Sequence, residues 1–362
     1  MEQLVNTVVT GSGSYIPEKV INNDYFLENE FFDSSGVRLT KPNSAIVKTL
    51  QKITEINERR YIADDQVTSD MGYFAAVDAI NSAKIDPEKL DYIIVAHNFG
   101  DLRKDNIRVD MCPPIASRIK HRLQISNPYT VAYDLPFGCP GWVQGVIQAD
   151  YYIRSGDAKK ILVIGAETLS RISDPHDVDS MIFSDGAGAV VLEGWESKEK
   201  FGLIKHITRS DTLEQAHFLE MKPSYNPDFK DNTLFLKMNG RKLYEYAIKT
   251  VPQTLKDCLD KAQIPLSSVK KVLIHQANAK MDYNILERLF DLYGESNIPA
   301  GIMPMSIGFL GNNSVATVPI LYDLIVKGKM DGHEFYPGDY LLFASVGAGM
   351  NLNAFVYKVP TI

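Results

Sequence analysis

The sequence predicts an α/β fold with mixed or parallel sheets, built from two related halves. Three observations carry this. Short apolar runs ending in small residues recur along the chain, as "YIIVA" (92–96), "KILVIGAE" (160–167) and "YLLFASVGAG" (340–349); their length and β-branched content read as buried strands. Longer amphipathic stretches lie between them, such as residues 141–156 and 313–328, and alternation of this kind is the mark of α/β architecture. The chain also aligns with itself. Residues 81–97, "NSAKIDPEKLDYIIVAH", match 260–276, "DKAQIPLSSVKKVLIHQ", without a gap, and 138–156, "GCPGWVQG…YYIRSG", match 311–328, "GNNSVATVP…LIVKG". Both pairs keep the same order, so a duplicated unit is expected, with halves over 1–195 and 196–362.

Each element follows from its residues. At 81–97 a helix end, a short loop and a strand succeed one another, and 260–276 repeats them. "FGCPGWVQG" (137–145) puts Cys139 between Gly138 and Pro140, a tight entry to a helix. A helix start favours anions through its free N–H groups and macrodipole, so a thiol there is expected to ionise more readily. The buried-cysteine reading suits Cys258, which lies in the helical pattern "VPQTLKDCLDKA". If a pseudo-twofold axis relates the halves, Asn312 starts the helix equivalent to that of Cys139, and His275 ends the second copy of the strand. Ligands of open α/β sheets bind at such ends, so Cys139, His275 and Asn312 are expected to converge. Cys, His and Asn in this order also describe a cysteine hydrolase triad, although the sequence around a papain-type nucleophile is absent.

Composition narrows the class. Of 362 residues, 45% are hydrophobic and 23% charged, which is globular and ample for a large core. A net charge of -7 argues against nucleic acid as the main partner. Three cysteines without metal-site spacing point to neither a disulfide framework nor zinc, so a reducing, cytoplasmic setting is expected. No apolar run reaches the roughly 20 residues of a membrane span, and the N-terminal residues do not read as a signal peptide.

The chain resembles the thiolase-like condensing enzymes of the ketoacyl-acyl carrier protein synthase III group. The resemblance runs nearly end to end, through "VVTGSGSYIPEKVINN", "DLPFGCPGWVQG", "AETLSRISDP", "FSDGAGAVVLEG", "VLIHQAN", "GNNSVATVP" and "SVGAG". It implies a five-layered αβαβα fold of two duplicated halves, a homodimer, and no cofactor beyond the phosphopantetheine of the substrates, carried on acyl carrier protein or coenzyme A. It implies that Cys139 carries an acyl group as a thioester. His275 and Asn312 would hold the thioester carbonyl of a malonyl group on acyl carrier protein while carbon dioxide leaves, as two donors aimed at an enolate oxygen. The N–H groups of Cys139 and Ala348 would form a second oxyanion hole, with Gly347 and Gly349 permitting the close approach. Lys280 falls where the family greets its acidic carrier protein, Arg288 lies on the same helix, and Arg171 matches a position at the pantetheine channel entrance.

Two departures bear on the substrate. Thr49 and Ile53 stand where coenzyme A-primed members have a Trp and an Arg that clamp adenine. Cys112 stands where a bulky aromatic often caps the acyl pocket across the dimer, so longer or branched chains are expected, as in members that make secondary metabolites or dialkylresorcinol-type lipids. An acyltransferase of this fold without decarboxylation, and a Cys-His-Asn hydrolase, are the competing readings. A hydroxymethylglutaryl-CoA synthase-like enzyme would need a glutamate near the cysteine, and "VAYDLPFGCPGW" contains none.

Overall fold

Two successive runs of the chain wind into the same four-stranded pattern. The computed structural model describes residues 3–361. The first run passes through β1 (Leu4–Tyr15), β2 (Lys19–Asn22), α1 (Asn43–Thr54), β3 (Glu58–Tyr61), α2 (Thr68–Ala83), β4 (Tyr92–His97), α3 (Ile115–Arg122), β5 (Val131–Pro136), α4 (Gly141–Ser155), β6 (Lys160–Thr168) and β7 (Asp185–Ser197). The second passes through β8 (Gly202–Ser210), β9 (Leu219–Lys222), β10 (Phe235–Met238), α5 (Gly240–Ala262), β11 (Val269–Ile274), α6 (Ala279–Asp291), α7 (Ile307–Leu310), α8 (Thr317–Val326), β12 (Tyr340–Gly347) and β13 (Asn351–Lys358).

The first large sheet has the order β1-β7-β6-β4-β5 and the second β8-β13-β12-β11. In each, the first two pairings are antiparallel and the third is parallel. β5 extends the first sheet by one parallel strand. At the corresponding edge of the second, Val272 N–H donates to Ile302 O in an irregular segment. Strand order and direction thus repeat, as the self-alignment predicts.

Five layers result. α2 and α3 cover the outer face of the first sheet, α4 and α8 lie between the sheets, and α5 and α6 cover the outer face of the second. Strands buried on both faces must be apolar throughout. β6 and β12 are buried along all but their first residue. The central layer holds the largest apolar cluster, with Trp142, Ile147, Leu321 and Phe343. Gly188 of β7 lets α8 close in: a Cβ there would lie 2.7 Å from Ile320 N.

α4 ends at Gly156, whose φ of 83° forms a left-handed cap. The stretch 313–328 is less regular than its pattern predicts. A 3₁₀ turn over Ser314–Ala316 precedes α8, so Asn312 sits ahead of the helix rather than on its first turn. Cys258 is fully buried in α5. Among the described residues no helix is long and apolar enough to cross a membrane.

Candidate active site

Cys139 lies in the tight turn between β5 and α4. Gly138 has a φ of 68°, a conformation that side chains disfavour, and Pro140 follows at φ −76°, already suited to helix entry. The turn is pressed against the end of β12. A Cβ on Gly138 would lie 3.0 Å from both Ala348 N and Ala348 O, and one on Gly347 would lie 2.6 Å from Cys139 N. Only glycine fits either place, and the main chains of residues 138–139 and 347–348 are brought face to face.

His275 follows β11 directly. Its N–H donates to Ala344 O at 2.9 Å, which prolongs the pairing with β12, and its ring Nδ1 lies 3.2 Å from Thr317 Oγ1. That hydroxyl also donates to Asn313 Oδ1 at 2.7 Å. The rest of "HQAN" is structural. Gln276 is fully buried, accepts from Ser306 N–H and Ile307 N–H, and donates to Pro304 O. Asn278 caps α6 by accepting from Met281 N–H.

Asn312 is pinned by its own main chain. Its N–H donates to Ile182 O at 2.9 Å and its O accepts from Ser184 N–H at 2.8 Å. Its side-chain Oδ1 accepts from Ser314 N–H at 2.9 Å. With the oxygen engaged, the amide is oriented and Nδ2 is the donor left over.

Cys139, His275 and Asn312 line one cavity of about 200 Å³. The rest of the wall is mainly apolar, with Leu169, Phe183, Leu219, Met221, Leu236 and Met238 prominent. Four of these come from the hairpin β9–β10. The hairpin is held down by Lys237, buried and paired with Asp174 at 2.5 Å and Asp177 at 3.0 Å.

Burial dominates the electrostatics. It pushes the Cys139 thiol up to about 11; the Ser314 hydroxyl, 3.3 Å from Sγ and donating to it, pulls the other way, and Glu167 pushes further up. The depressed pKa expected from the helix start is therefore corrected: removing the thiolate from water outweighs the helix terminus in the resting site. Burial likewise drives the His275 imidazole down to about 4, against the Ser314 main chain. His275 is thus neutral at physiological pH.

Glu167 is the residue missed by sequence reasoning. It ends the apolar run of β6, is fully buried, and burial raises its carboxyl to about 7 against His97 and Asn98. Asn98 Nδ2 donates both to Glu167 and, at 3.4 Å, to Ser314 Oγ. A glutamate does stand by the cysteine, supplied by a strand remote from it in sequence. The available signal was an acidic residue closing a run otherwise buried throughout.

Other expected positions are redistributed. Gly347 is in the cavity wall with Ala348, and Gly349 has a φ of 136°. Lys280 and Arg288 are exposed on α6, and Arg288 donates to Ile248 O of α5. Arg171 is not free to meet pantetheine. Its guanidinium donates to the carbonyls of Ala63, Asp64, Gln66 and Leu102, so it ties two loops together. Cys112 is exposed on the loop after β4 and does not line the cavity of the single chain, where Phe99 takes part in the wall instead. Ile53 is 38% exposed on α1, and the Thr49 hydroxyl is bonded to Ala45 O within its own helix. No metal-binding cluster occurs among the described residues.

Two layered sheets around a central helix pair, with a cysteine at a helix start facing a histidine and an asparagine, define the thiolase-like class of condensing enzyme. The sequence profile described as 3-oxoacyl-[acyl-carrier-protein (ACP)] synthase III matches residues 133–212, and its C-terminal counterpart matches 259–359. The beta-ketoacyl-[acyl-carrier-protein] synthase III of Staphylococcus aureus (strain JH1) is 32% identical over 356 residues, covering 98% of this chain and 99% of that protein. Among solved structures, 3-oxoacyl-[acyl-carrier-protein] synthase III from Aquifex aeolicus VF5 is similar with a TM-score of 0.78 at 28% identity, covering 98% of this chain and 100% of that one. The Pseudomonas aeruginosa PAO1 enzyme gives 0.79 at 26%, covering 99% of each chain. The chain belongs to the 3-oxoacyl-acyl carrier protein synthase III family and is an enzyme of that type.

Proposed function

We propose that this enzyme joins an acyl group held on Cys139 to the two-carbon unit of a malonyl-acyl carrier protein, releasing carbon dioxide and a 3-oxoacyl thioester. The observation that carries the reading is the meeting of Cys139, His275 and Asn312 in one apolar-walled cavity.

The geometry of the site supports the following steps. Cys139 sulfur attacks the donor thioester, and the donor's thiol leaves with the thiol proton. The N–H groups of Cys139 and Ala348 stabilise the tetrahedral oxyanion, in keeping with the close packing of their main chains. The malonyl thioester then takes the place of the first carrier. As its carboxylate departs, the electron pair moves onto the thioester carbonyl oxygen. Asn312 Nδ2, oriented by the bond between its oxygen and Ser314 N–H, donates to that oxygen. His275 donates beside it from Nε2 once the Thr317 hydroxyl gives up its bond to Asn313 Oδ1 and turns its proton toward Nδ1, since the ring proton then sits on the other nitrogen. The enolate carbon attacks the acyl carbonyl, the carbon–sulfur bond breaks, and Cys139 leaves as a thiolate that takes up a proton from solvent as the product departs. An apolar wall protects the carbanion from water.

The acyl donor is longer than acetyl, of the kind found in secondary metabolites or dialkylresorcinol-type lipids. Its chain lies against Leu219, Met221, Leu236 and Met238. Acyl-CoA and acyl-acyl carrier protein are the two candidate donors, and α1 offers neither aromatic ring nor cation at 49 and 53 to favour the adenine of the first. The enzyme works in the cytoplasm as a homodimer, with the exposed edge of β5 as the available surface; Val131 there is 47% exposed.

The test is direct. The enzyme is incubated with a panel of acyl donors and malonyl-acyl carrier protein, and intact mass is followed. Acyl-Cys139, a product two carbons longer and carbon dioxide are expected. Acylation without carbon dioxide release would leave a simple acyltransferase, and hydrolysis of the donor alone would leave a hydrolase. Acetyl-CoA as clearly the best donor would overturn the long-chain part.

A further inference from the structure

Four residues from separate segments form a single directed chain of hydrogen bonds that ends on the cysteine. Ser314 Oγ donates to Cys139 Sγ at 3.3 Å. Asn98 Nδ2 donates one proton to Ser314 Oγ at 3.4 Å and the other to Glu167 Oε2. Glu167 is fully buried, and its Oε1 has no partner among the described residues. The titratable groups around this carboxyl are His97, at the end of β4, and Cys139 itself. His97 Nε2 lies 3.0 Å from Asp134 Oδ2 on β5, and Asp134 in turn caps α3 by accepting from Ile115 N–H and Ala116 N–H. On neighbouring β7, Asp185 is engaged by Ser170 and Ile62 N–H.

The polarity of this chain is fixed at its far end. An amide nitrogen only donates, and a carboxylate only accepts. While an ionised Glu167 holds the Asn98 nitrogen, Ser314 must accept from Asn98, and its one proton is left for the sulfur. Turned end for end, Asn98 would present Oδ1 instead. That oxygen would take the Ser314 proton, and the hydroxyl would then accept from the thiol and favour S–H. An ionised carboxylate repels Oδ1 and forbids the turned state; a protonated one donates to Oδ1 and allows it.

We propose that Glu167 is a positioning residue for the nucleophile: through Asn98 it keeps the Ser314 hydroxyl donating to Cys139 sulfur, and its protonation reverses the chain. The proposal rests on the reading of Cys139 as the nucleophile. Its direct charge acts the other way, since a carboxylate beside a sulfur disfavours the thiolate. The two effects have opposite signs, so substitution separates them.

The experiment is alkylation of Cys139 by iodoacetamide, mapped to the peptide by mass, from about pH 5 to about pH 9, a window that brackets carboxyl and thiol titration. In the wild type the rate climbs with thiol ionisation and carries an added inflection near pH 7. Glu167→Gln keeps the shape and removes the charge. It is expected to lose the inflection and to slow alkylation at pH 8 by about tenfold, the effect of one lost hydrogen bond to a charged group. Asn98→Ala is expected to do the same, and the double variant is expected to lose no more than either single one, as coupled residues do. Alkylation as fast as or faster than wild type in Glu167→Gln, a retained inflection, or additive losses in the double variant would overturn the proposal. Should Glu167→Gln fail to fold, the Asn98→Ala profile decides alone. Failure of the nucleophile reading shows separately, as the absence of any acyl adduct on Cys139 in the wild type.

Discussion

The two halves place different chemistry on the same scaffold. Cys139 and Asn312 are equivalent positions, each preceded by a glycine with positive φ, 68° at Gly138 and 64° at Gly311. Farther along, Asp150 of α4 answers Asp323 of α8, and Arg154 answers Lys327; each pair is joined across one helical turn. Both aspartates reach the same strand. Asp150 accepts from Thr7 of β1, and Asp323 accepts from Ser12 and Ser14 of β1. One rigid strand therefore anchors the helix behind the nucleophile and the helix behind the amide, and the duplication is also the device that holds them in register. The halves differ in how the functional residue is held. Cys139 is set by the glycine turn and the packing of Gly347. Asn312 is tied by main-chain bonds to Ile182 and Ser184, across the boundary between the halves.

Replacing the nucleophile should break this comparison most severely. Cys139→Ser is expected to abolish both half-reactions, with a loss on the order of 10⁴-fold or more, as for other covalent nucleophiles. No acyl adduct should appear by intact mass. A residual acyl-enzyme on another residue would show that the first half of the chain does not hold the acyl group.

Asn312→Ala should separate the halves. Acylation of Cys139 is expected to persist, measured as adduct formation from the acyl donor alone. Condensation should fall by about 10²–10³-fold, the usual cost of one oxyanion donor. Equal losses in both half-reactions would mean that Asn312 serves the nucleophile rather than the enolate.

How much of this was legible in the sequence follows from what each residue depends on. The buried strands, the duplication and the meeting of Cys139, His275 and Asn312 were legible because apolar runs and glycine turns encode them locally. Glu167 was not, because its partner Asn98, and Ser314 beyond it, come from other segments, and an acid closing a strand looks like a strand end meeting water. The bonding of Arg171 was not legible for a related reason. A matched position does not say whether the guanidinium is free, and here four carbonyls occupy it. Nor could the cysteine's setting be weighed from its turn alone: the helix start is visible in "GCPGW", but the burial that outweighs it is not.

The shared anchor gives a smaller, stability-level test. Asp323→Ala strands two serine hydroxyls, while Lys327 keeps Asp78, whereas Asp150→Ala strands Thr7 and a half-exposed Arg154. Thermal or urea unfolding is expected to show a loss of about 2–4 kcal/mol for the first and about 1–2 kcal/mol for the second, scaled by the buried partners left unpaired. If the losses are equal, β1 does not hold the second helix more firmly than the first.

The smallest effect concerns the surface. Lys280 and Arg288 are exposed on α6, two turns apart and on one face, while the chain as a whole carries a net charge of -7. A local basic spot on an acidic protein speeds encounter with an acidic carrier protein without touching the chemistry. Lys280→Ala with Arg288→Ala is therefore expected to raise the KM for malonyl-acyl carrier protein by about three- to tenfold at low salt. The kcat should stay the same, and the difference should fade as salt is added. Charge reversal at Lys280 should deepen the KM effect, again with kcat held. A fall in kcat would tie α6 to the cavity, through Met281 in its wall, and would make this helix part of the second half's catalytic apparatus rather than a landing surface beside it.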